Sequence, residues 1–68
     1  MDDFDPHLAA RSLIESGGTT IMQIWLHYVA VGGTADVVEL DAFIHGIPLL
    51  KGLEVQLLAV ALKELQSG

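Results

Sequence analysis

The segment from Ile21 to Val31 is apolar at every position except Gln23 and His27. It is too short for a membrane span, which takes about 20 residues. It is also too apolar for a helix with one wet side. A helix that greasy around its girth has to be surrounded by protein. The whole chain is 68 residues, and a domain near that size hides only roughly 60% of the surface its unfolded chain exposes. Val, Ile, Leu, Met, Phe, Trp and Tyr together supply 28 large apolar side chains. Many of these are therefore expected to stay partly exposed or to be covered by another chain.

Small folds commonly rely on a staple. The chain has no cysteine, so disulfides are excluded, and no Cys/His cluster offers a structural zinc site. Tight helix packing or oligomerisation is what is left. The start, Met-Asp-Asp-Phe-Asp, has the wrong sign for a secretory signal, which opens on positive charge. A cytoplasmic location without membrane association is the expectation. The net charge is −6, which suits solubility or attraction to a basic partner. Arg11, Lys51 and Lys63 are dispersed and build no basic patch of the kind a nucleic-acid module uses.

Glycine punctuates the chain at Gly17-Gly18, at Gly32-Gly33 and at Gly46, with Pro48 two residues on. Glycine just past a helix end takes the left-handed conformation that closes it. The pattern predicts an all-α bundle of four short helices in a single domain over 1–68, with a disordered tail over residues 1–4. The first helix spans about 6–15, with Asp5 as N-cap and Pro6 at the first helical position. The second spans about 21–31, with Thr20 and Gln23 at capping-box spacing. The third spans about 37–45, behind Asp36 and Glu39 at the same spacing. The fourth spans about 53–65 and carries two apolar strips. One is Leu53, Leu57, Val60 and Ala61; the other is Val55, Leu58, Leu62 and Leu65.

The second and fourth helices thus bear apolar arcs wider than one neighbour covers. Leaving four aliphatic side chains wet forfeits several kcal/mol at roughly 25 cal/mol per Å². This points to a second chain covering one arc, and a symmetric homodimer is the commonest such arrangement. The expected protein-binding residues are the strip Val55, Leu58, Leu62 and Leu65, and the acidic patch Asp36, Glu39 and Asp41, which suits a basic partner.

No catalytic constellation is legible. His7, His27 and His45 fall on three different predicted helices, without the close spacing of a zinc pair. The acidic cluster lacks the alternating ligands and central glycine of a calcium loop. Ser12, Ser16 and Ser67 have no nucleophile-elbow setting, and no phosphate-binding glycine motif occurs. Neither a cofactor nor a metal is expected. An acidic four-helix chain of this length looks faintly like an acyl carrier protein, but Gly33–Val37 holds no serine for a prosthetic arm. The glycine motif of a helix-hairpin-helix DNA module is not matched by Gly46–Gly52. The leading expectation is a non-catalytic, acidic, helical interaction module or regulatory adaptor. The alternative is a transcription-associated DNA-binding regulator of helix-turn-helix type. A small carrier or enzyme ranks below both.

Overall fold

The computed structural model describes residues 5–67, and these form four helices with no strand among them. The tail expected over residues 1–4 lies outside the described residues. In chain order the helices are α1 (Pro6–Glu15), α2 (Ile21–Ala30), α3 (Val37–Ile44) and α4 (Leu53–Ser67).

Their starts are fixed by local chemistry. The Asp5 side chain accepts from the backbone N–H groups of His7 and Leu8, and Pro6 follows at the first helical position. Thr20 accepts from the Gln23 N–H at 3.2 Å. The second half of that expected capping box is replaced, because Thr19 Oγ1 donates to Gln23 Oε1 at 3.0 Å. Asp36 and Glu39 complete a reciprocal box, with Glu39 N–H on Asp36 Oδ1 at 2.9 Å and Asp36 N–H on Glu39 Oε1 at 3.2 Å. Such caps contribute about 0.5–2 kcal/mol each. The ends differ slightly from expectation. Val31 and His45 are C-caps rather than helical residues, and α4 continues two residues further, to Ser67.

The core is assembled from all four helices. Ala10 of α1, Ile24 and Tyr28 of α2, Leu40 and Ile44 of α3, and Leu58, Ala61 and Leu62 of α4 have no exposed surface, and Leu50 closes one side. The pairing of α2 with α4 is the most extensive, and α1 packs on α3 and α4. The surface is 4209 Å², against about 4,200 Å² for an ordinary monomer of this mass.

One expectation is corrected here. The strip Val55, Leu58, Leu62 and Leu65 does not face outward. Leu58 and Leu62 are fully buried within the chain, and Val55 and Leu65 are half-buried against the same core. It is the opposite strip that is wetter, with Leu53 and Val60 exposed. The first helix sends Ala10 into the core and packs Ala9, Leu13 and Ile14 against it.

Candidate functional site

The most connected polar cluster joins α2, the α2–α3 joint and the start of α4. Tyr28 is a large buried side chain in an apolar helix, and a buried hydroxyl needs partners. It donates to Glu54 Oε1 and accepts from the Ala35 N–H at 3.0 Å. Glu54 Oε1 also accepts from the Thr34 N–H, and Glu54 Oε2 from Thr34 Oγ1, both at 3.2 Å. The Trp25 indole N–H donates to the Ala35 carbonyl at 3.0 Å. Ala35 is thus held at both backbone groups by two aromatic residues one helical turn apart. Gly33 lets the chain pass the Tyr28 ring, since a β-carbon there would overlap Cζ and both Cε atoms.

The electrostatics of this cluster describe a clasp rather than a reactive pair. Burial, followed by the hydrogen bond to Glu54, raises the Tyr28 hydroxyl above its ordinary pKa. The hydrogen bond from Tyr28, and then the Thr34 N–H, lower that of the Glu54 carboxyl. An acid–base pair working near neutrality needs the reverse, a carboxyl pushed up or a phenol pulled down. Here each shift favours the state already present at neutral pH, with Tyr28 protonated and Glu54 ionised.

The three histidines do not meet. His7 Nδ1 lies 3.7 Å from Asp5, His27 Nδ1 3.9 Å from Glu64, and His45 Nδ1 3.3 Å from Asp41. His45 Nδ1 also lies 2.8 Å from the Asp41 carbonyl oxygen, closing the last turn of α3. Among the described residues no group of three or more His, Cys, Asp or Glu could hold a metal ion.

A shallow cavity of about 170 Å³ is lined by Asp5, His7, Phe43, Gly46, Ile47 and Pro48. His7 stands edge-on to Phe43 with ring centroids 6.1 Å apart. Its Nε2 is covered and has no hydrogen-bond partner. A covered nitrogen cannot bond a molecule in the open cavity unless the ring turns, so the cavity offers an apolar wall rather than a polar anchor.

The acidic residues singled out from the sequence are all exposed, and all already have local partners. Asp36 and Glu39 cap α3, and Asp41 sits beside His45. They line one short helix and do not converge with the α4 strip.

The surface that sequence reasoning left unlocated is the outer face of α2. Met22, Leu26 and Val29 are 49%, 56% and 40% exposed. They recur at i, i+4 and i+7, which at about 100° per residue places them on one stripe. The signal was visible in the apolar girth of this helix; which part of it faces outward depends on where Ile24 and Tyr28 pack.

No family model matches this chain, and neither a curated protein nor a solved structure matches it. Among the described residues no helix is long and apolar enough to cross a membrane.

Proposed function

We propose that the chain is a non-catalytic helical interaction module, working in the cytoplasm through contact with another protein chain. The observation that supports this is the outer stripe of α2. Scattered exposed apolar residues are ordinary on any protein surface. Three on one helical face, on a helix with no Asp, Glu, Lys or Arg, make the apolar half of a helix-packing interface. The polar cluster nearest to a catalytic arrangement is fully engaged in holding the α2–α3 joint, which favours a role in contact rather than chemistry.

A DNA-reading role gains nothing from the arrangement. The second helix of a helix-turn-helix pair would be α3, which carries Glu39 and Asp41 at exposed positions and no Arg or Lys. Phosphates would repel it.

Site-directed photo-cross-linking tests the reading. A photoreactive residue replacing Leu26 in the full chain, in its native cell, is expected to give a covalent adduct with a protein. The same residue replacing Val38, which is 73% exposed on α3, is expected to give little. No adduct from position 26, or equal adducts from both positions, would remove the proposal.

A further inference from the structure

We draw no further inference here: the strongest candidate, the shallow cavity where the start of α1 meets the end of α3, has as side-chain polar groups only the Asp5 carboxylate, which already caps α1, and a His7 whose Nε2 is covered, and nothing in the structure shows what would occupy it.

Discussion

Gly33 has no space for a side chain, because the Tyr28 ring occupies the position a β-carbon would take. Gly32, next to it, has open space but a φ of +107°, which side chains rarely adopt. The two glycines are therefore needed for different reasons. Gly33→Ala is expected to cost about 1–3 kcal/mol, the range for overpacking, read as a lower urea midpoint; an unchanged midpoint would show that the ring can move aside. The ring's hydroxyl and Glu54 give the fold opposite pH limits. The folded pKa of Glu54 lies below its ordinary value of 4.5. Its contribution is complete above that value and is lost as pH falls through the lower folded one. The folded pKa of Tyr28 lies above 10.0, so its contribution is complete below 10.0 and is lost as pH rises through the higher folded value. Urea midpoints along the acid limb should fall less steeply for Glu54→Gln than for the parent chain. Spectrophotometric titration should place phenolate formation above that of free tyrosine. Matching acid limbs, or an ordinary phenol titration, would contradict the clasp.

At the scale of the helix, orientation about the long axis decides what each side chain is for. Leu58 and Leu62 point into the core while Leu53 is 64% exposed. Leu62→Ala is expected to cost about 2–5 kcal/mol, and Leu53→Ala less than about 0.5 kcal/mol, measured by chemical unfolding; similar costs would mean α4 is turned otherwise. Helix positions were legible because their signals are local. Asp5-Pro6, Thr20 and Asp36–Glu39 act within one turn of chain, and the starts fell where those residues place them. The facing of α4 was not legible. Its two strips are nearly equal in apolar content, so its own sequence does not choose between them. Glu54 does contribute to the choice, drawn inward by a hydroxyl 26 residues earlier. That contact is invisible to periodicity, which turned the Leu58 strip outward. The candidate site was legible to the same extent: the excess of apolar girth on α2 could be seen, but not which third of it the core would leave bare.

For the molecule as a whole, the Glu54 clasp bears on the integrity of the chain. Thr34 and Ala35 join α2 to α3, yet the carboxylate that receives Thr34 and the Tyr28 hydroxyl arrives from α4, 20 and 26 residues away. Cut the polypeptide after residue 52 and the remainder loses a wall of its core together with the acceptor for the corner between its second and third rods. No smaller piece ending there should stand by itself, and loosening any one rod should release the other three in a single step.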